Sequence, residues 1–300
     1  MQSTSKILMI RPVNFGFNEQ TSGNNAFQVR GHEENARAKA LKEFDEFTDL
    51  LRSNGVQLFV VEDTPEPHTP DSVFPNNWFS THEGGTFVLY PMYAQNRRQE
   101  RKPTVINFIK ENFKVKREVD LTGNEKSELF LEGTGSMIID RDHNLVYACR
   151  SPRTDEKVLE QFCEELEYDY FLFGASDADG NEIYHTNVMM CVGTEFVVVC
   201  LDAVKDMDER ENLIGLIEES DKEIVEISLD QMGKFAGNML EVMSTNGERL
   251  LVMSKRAYNS LTQEQVDTLQ KYCRIISPNL TTIENNGGGS ARCMMAEIYI

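Results

Sequence analysis

Apolar residues recur at helical spacing in five stretches of the chain. The first runs from about Glu34 to Ser53, with Leu41, Phe44, Phe47, Leu50 and Leu51 on one side and Gly55 as its stop. The second opens at Pro103, a residue suited to the first helical position, and turns Ile106, Ile109 and Phe113 inward. The third begins near Asp155 and carries Val158, Leu159, Phe162 and Leu166; the fourth begins near Met207 and carries Leu213, Ile214, Leu216 and Ile217. The fifth follows Thr262, which forms a capping-box pattern with Gln265 ahead of Val266, Leu269 and Tyr272.

The last three of these helices start at intervals of about 52 to 54 residues, the spacing of repeated supersecondary units. Each helix precedes a strand-like run: Gln57–Val61, Val115–Val119, Tyr170–Phe173, Glu223–Ser228 and Arg274–Ile276. Each run leads into a polar or glycine-bearing loop, and further strands follow, such as Thr86–Tyr90, Ser136–Asp140, Leu145–Cys149, Phe196–Cys200 and Leu250–Met253. After the fifth loop only 294–300 remains, a run able to pair with Ile7–Ile10 and close a ring. The pattern predicts five β-rich units with one main helix each.

Composition narrows the partners more than the fold. The chain has 300 residues and a net charge of −19, which argues against nucleic acid and anionic membrane as partners. No apolar stretch is long enough to span a bilayer, and the N-terminal residues lack the core of a signal peptide, so a cytoplasmic setting is expected. The cysteines show no CxxC spacing and no clustering with histidine, so neither disulfides nor a metal are expected, and five of the six read as buried small hydrophobes.

The sixth cysteine stands apart. Cys293 follows Gly287-Gly288-Gly289-Ser290-Ala291-Arg292. Glycines admit close backbone approach to a ligand, and an adjacent arginine favours the thiolate. A nucleophilic thiol calls for a histidine and an orienting carboxylate elsewhere. The equivalent loops supply candidates: Asp71 to Trp78 in the first, Leu131-Glu132-Gly133-Thr134-Gly135 in the second, His185-Thr186-Asn187 in the third and Ala236-Gly237-Asn238 in the fourth. In a ring of units these loops converge at one end of the axis. His32, His68, His82 and His143 lie in polar stretches and read as surface residues.

These residues together resemble the pentein, or guanidine-modifying, superfamily: arginine deiminases, dimethylarginine hydrolases, amidinotransferases and succinylarginine dihydrolases. The run from Gly287 to Cys293 resembles the deiminase nucleophile motif; Leu131-Glu132-Gly133 resembles the family's EG segment, with Thr134-Gly135 where GD is common. His185-Thr186-Asn187 is similar to its His-x-Asp/Asn segment, Ser151-Pro152-Arg153-Thr154 to its SxRT, and Asp71 to Asn77, with Phe74 between, to its DxxFxxD. The resemblance implies an α/β fold, a five-bladed α/β propeller of ββαβ repeats, with residues 1–300 forming a single catalytic domain. It implies Cys293, His185 and Glu132 as catalytic residues. Asp71, Phe74, Asn77, Arg150, Arg153 and Asn187 become substrate-binding residues, with Arg150 or Arg153 on the substrate carboxylate. It implies no metal or organic cofactor and a small amino-acid substrate, and it leaves a homo-oligomer open. The segment from Phe15 to Phe27, with Asn18, Thr21, Asn24 and Asn25, is a candidate lid.

Two departures bear on the substrate. The resemblance implies aspartates gripping a guanidinium where this chain has Asn77 and Asn187. A carboxylate only accepts hydrogen bonds, whereas an asparagine amide both donates and accepts, as a neutral ureido group requires. The expected reaction is therefore citrulline plus water to ornithine, ammonia and carbon dioxide through a thiocarbamoyl-cysteine. The alternatives are a deiminase, dimethylargininase or amidinotransferase acting on a guanidino substrate, and a non-enzymatic binding protein of the same fold.

Overall fold

The structure, a computed structural model, describes residues 1–23, 25–28 and 35–300. The expected helix start at Glu34, His32 and the lid residue Asn24 fall outside the described residues. Helix α1 is seen as Ala36–Ser53, and it buries Phe44, Phe47 and Leu51, each worth roughly 1.5–3 kcal/mol when fully withdrawn from water. The other main helices are α2 (Pro103–Asn112), α3 (Glu156–Leu166), α4 (Met207–Glu219) and α5 (Gln263–Gln270). Their starts have local causes. Pro103 occupies the first turn of α2, the side chains of Asp155 and Asp206 accept backbone N–H groups opening α3 and α4, and Thr262 and Gln265 complete the capping box of α5.

Five three-stranded sheets accompany these helices among the described residues. The strands are β1 (Lys6–Arg11), β2 (Gln57–Glu62), β3 (Phe79–His82), β4 (Thr86–Leu89), β5 (Arg117–Asp120), β6 (Met137–Asp140), β7 (Leu145–Cys149) and β8 (Asp169–Phe173). They continue as β9 (Met190–Val192), β10 (Phe196–Val199), β11 (Glu223–Glu226), β12 (Leu240–Met243), β13 (Arg249–Val252), β14 (Arg274–Ile276) and β15 (Ala296–Glu297). In every sheet the middle strand pairs antiparallel with one neighbour and parallel with the other, the parallel step crossing through a main helix. β15 pairs antiparallel with β1, so the two ends of the chain share one sheet as the sequence pattern predicts.

Hydrogen bonds, most of them from the turns that precede the strands, link successive sheets' segments. Thr81 Oγ1 donates to Glu297 O at 3.0 Å, Asn76 Nδ2 to Thr134 Oγ1 at 3.2 Å, Thr186 Oγ1 to Ser136 O at 2.6 Å and Asn238 Nδ2 to Asn187 O at 2.9 Å. Met243 N–H donates to Thr4 O at 3.0 Å and joins the fifth sheet to the first. The apolar residues collect in four clusters between sheets and helices, leaving the turns before β3, β6, β9, β12 and β15 to meet one another.

Three strands escape the sequence pattern. β3, β9 and β12 are short and buried at most positions, so they lack the apolar–polar alternation that marks a half-exposed strand. His82 is a correction: it is buried rather than at the surface. Its ring lies between Ser80 Oγ, 2.7 Å from Nε2, and Arg141 Nη1, 3.2 Å from Nδ1, and burial and then Arg141 push its pKa well below the usual imidazole range.

Candidate active site

The turns Pro75–Asn77, Gly133–Ser136, Thr186–Val188 and Ala291–Met294, with the bend at 235–239, enter a common centre. A small, tightly lined cavity there is bounded by Asp71, Phe74, Asn77, Arg153, His185 and Cys293. A thiol from the end of the chain and an imidazole more than a hundred positions earlier thus face one small space. Glu132 stands behind the imidazole: its Oε2 lies 2.8 Å from His185 Nε2. Its Oε1 accepts the Tyr93 backbone N–H at 3.0 Å. A carboxylate in that place accepts the Nε2 proton, which leaves Nδ1 with its lone pair.

Glycine is required where the parts crowd. A Cβ on Gly135 would lie 2.4 Å from Asn77 Nδ2 and 2.8 Å from His185 Nδ1, so any side chain there displaces both. Gly288 has φ +65° and packs against Asn25, whose Nδ2 would lie 2.5 Å from an added Cβ. Phe74 covers the glycine run, its ring 2.8 Å from the Cβ positions of Gly287 and Gly289. Asn18 Nδ2 donates to Asp71 Oδ2 at 2.6 Å, Thr21 O accepts from Arg153 Nη2 at 3.3 Å, and Thr21 and Asn25 line the cavity. Asn18, Thr21 and Asn25 of the stretch read as a lid therefore pack against the site.

Three placements correct the sequence reading. Arg150 is not part of the site: its side chain is 50% exposed and Nη1 pairs with Glu209 Oε1 at 2.7 Å. Arg292 does not face the sulfur; its Nη1 donates to Met295 O at 3.0 Å and its Nη2 pairs with Glu297 at 2.9 Å. Asn187 lies under the sulfur rather than along the cavity wall, with Nδ2 3.2 Å from Thr134 O and 3.5 Å from Cys293 Sγ.

Sequence reasoning missed Arg97, Glu100, Tyr184 and Asn238. Arg97 and Glu100 sit in a charged stretch that reads as solvent-facing, yet both are buried. Arg97 Nε and Nη2 pair with both oxygens of Glu100, at 2.9 and 3.0 Å. Arg97 Nη1 also donates to Asn77 Oδ1 at 2.9 Å. Tyr184 OH donates to Gly288 O at 2.6 Å, and its ring lies 4.9 Å below the Arg153 guanidinium carbon. Asn238 had a signal, its place after Gly237 in the fourth of the phased loops.

Electrostatics follow from burial and pairing. Burial pushes His185 down to about 4, against the opposing pull of Glu132 and with help from Arg153 and Arg97. Burial alone would raise Glu132, but Arg153, the His185 hydrogen bond and Arg97 outweigh it and hold the carboxyl well below its usual range. Asp71 is raised by burial in spite of Arg97, Asn18 and Arg153. Because folded His185 titrates below the unfolded value of about 6.5, the folded chain binds fewer protons between about 6.5 and 4. Stability is then lost as pH falls through that window. Melting temperatures taken from pH 7 down to 4.5 are expected to fall less in a His185→Asn variant than in the wild type; an identical dependence would contradict the buried neutral imidazole.

Five like sheets around one thiol–imidazole–carboxylate cavity define a member of the pentein superfamily, and the comparisons with known proteins agree. The sequence matches the family described as "N,N dimethylarginine dimethylhydrolase, eukaryotic" over residues 11–300, and the chain belongs to that family. No curated protein sequence matches it. The N-terminal domain of ArgZ bound to substrate, described as an arginine dihydrolase from the ornithine–ammonia cycle in cyanobacteria, is similar in structure. Its TM-score is 0.76 at 16% identity, covering 98% of this chain and 99% of that one. Full-length ArgZ has a TM-score of 0.74 at 19% identity, and the match spans 41% of its length and 98% of this chain. A dimethylarginine dimethylaminohydrolase adduct with S-methyl-L-thiocitrulline gives a TM-score of 0.69 at 14% identity, covering 99% of this chain and 100% of that one. Among the described residues no helix is long and apolar enough to cross a membrane.

Proposed function

We propose that the chain is a cysteine-dependent hydrolase of arginine-related amino acids that acts on the ureido carbon of citrulline, working as one five-bladed α/β propeller. The observation that supports the ureido reading is the state of Asn77. Its Oδ1 is held by Arg97, which fixes the amide with Nδ2 as a donor, and that Nδ2 is buried at the cavity without a partner. Asp71 Oδ1 is likewise buried without a partner. A buried donor and a buried acceptor left open are costly unless a ligand meets them. A ureido group offers both a carbonyl oxygen and N–H groups; a guanidinium offers only N–H.

In this mechanism Arg153 holds the substrate carboxylate and Asn77 polarises the ureido carbonyl. His185 Nδ1 takes the thiol proton as Cys293 Sγ attacks the ureido carbon. The tetrahedral intermediate collapses, the C–N bond breaks, and His185 delivers the proton to the departing nitrogen. His185 then takes a proton from water, which cleaves the C–S bond of the thiocarbamoyl enzyme. The released carbamic acid loses carbon dioxide, and the products are ornithine and ammonia. Glu132 holds the imidazole and balances the imidazolium that forms.

A second reading, hydrolysis of a guanidino substrate such as arginine or a methylated arginine to citrulline, is favoured by Asp71 alone, whose open oxygen suits an amidinium N–H. ArgZ, similar in fold, is described as an arginine dihydrolase. Incubation with citrulline and with arginine, assayed for ornithine, citrulline and ammonia, separates the readings. An Asn77→Asp variant replaces the open donor by an acceptor and is expected to lose about 100-fold in citrulline turnover relative to arginine turnover. An unchanged ratio, in a variant with the wild-type melting temperature, would remove Asn77 from substrate recognition.

A further inference from the structure

Two amide groups face the nucleophilic sulfur. Asn238 Nδ2 lies 3.3 Å from Cys293 Sγ and Asn187 Nδ2 lies 3.5 Å from it. Of the two, the Asn238 amide is fixed from both ends. Its Oδ1 accepts the Arg292 backbone N–H at 3.0 Å, and its Nδ2 donates a second bond to Asn187 O at 2.9 Å. The Asn238 side chain is wholly buried, and swapping its oxygen and nitrogen would set oxygen against Asn187 O and nitrogen against the Arg292 N–H. One Asn238 N–H is therefore built to point at the sulfur.

The charged groups around the same cavity are otherwise engaged. Arg97 is paired with Glu100; Arg153 and His185 both face Glu132; Asp71 is bonded to Asn18. Arg292, next to the sulfur in sequence, is turned to Glu297. In the resting site the sulfur's side-chain hydrogen bonds come from neutral amides, and such an N–H bonds more strongly as the sulfur becomes an anion.

We propose that Asn238 is a further catalytic residue, whose side-chain N–H stabilises the Cys293 thiolate directly, with Asn187 as the weaker second donor. The proposal concerns the sulfur alone and does not depend on which substrate is bound. Asn238 Nδ2 bonds more strongly to the sulfur as the thiol proton leaves, and yields as the electron pair is committed to the new C–S bond.

Alkylation of Cys293 by iodoacetamide, followed by peptide mass spectrometry at several pH values, tests this without any substrate. Asn238→Asp keeps the acceptor for the Arg292 N–H but sets an oxygen against the sulfur. At pH 7 the variant is expected to react about 10-fold more slowly than the wild type, and the deficit is expected to shrink as pH rises. Equal rates at pH 7 would refute the proposal. So would a deficit of the same size at every pH, which marks altered access rather than ionisation. If Asn238→Asp does not fold, Asn238→Ala carries the same expectation and the same two refuting results.

Discussion

A Cys293→Ala variant is expected to lose turnover of citrulline by about 10^4-fold or more while keeping the wild-type circular dichroism and melting behaviour within a few degrees. The size follows from the absence of a substitute. The other five cysteines are buried within the apolar clusters or beneath them, and burial raises the pKa of Cys149, Cys163 and Cys191 to about 12 and of Cys200 to about 11. None of them lines the cavity. The fold should tolerate the change because Cys293 contributes a small side chain whose polar contacts, among the described residues, are the two asparagine amides and its own turn. Residual turnover within tenfold of the wild type would show that bond cleavage does not pass through the thiol.

Glu132→Gln is expected to cost about 10^3-fold in kcat with a smaller change in KM. Glu132 accepts at both oxygens, from Tyr93 N–H at 3.0 Å and from His185 at 2.8 Å. A glutamine has one acceptor and one donor, so one of those bonds becomes donor against donor unless His185 moves its proton to Nδ1. In that tautomer no lone pair faces the cavity. The same change leaves Arg153 and Arg97 without the carboxylate that both approach, at 3.5 and 3.7 Å. Full activity in a folded Glu132→Gln variant would reduce the carboxylate to a structural ion-pair partner.

Much of this was legible in the sequence because helix periodicity and capping are local. The five main helices, the Thr262–Gln265 capping box and the pairing of the last strand with the first follow from side-chain spacing and elementary turn chemistry. The phased loops likewise contain Glu132, His185 and Cys293: His185 and Cys293 line one cavity and Glu132 is bonded to His185. What failed was side-chain direction. Arg292 and Arg150 are near the chemistry in sequence, but a backbone turn sends each toward a carboxylate elsewhere. Arg97 and Glu100 were hidden because a charged pair buried whole has the same composition as one in water. Asn187 and Asn238 were visible as residues in the right loops. That their amides meet under the sulfur depends on packing between the turns before β9, β12 and β15, which no single stretch encodes.

The direct test of the account is the mass of the intact protein quenched during reaction with citrulline. A carbamoyl-mass adduct confined to the Cys293 peptide, absent in Cys293→Ala and accompanied by ornithine and ammonia in solution, is the predicted result. No adduct and no ornithine from citrulline, with arginine converted to citrulline alone, would contradict it.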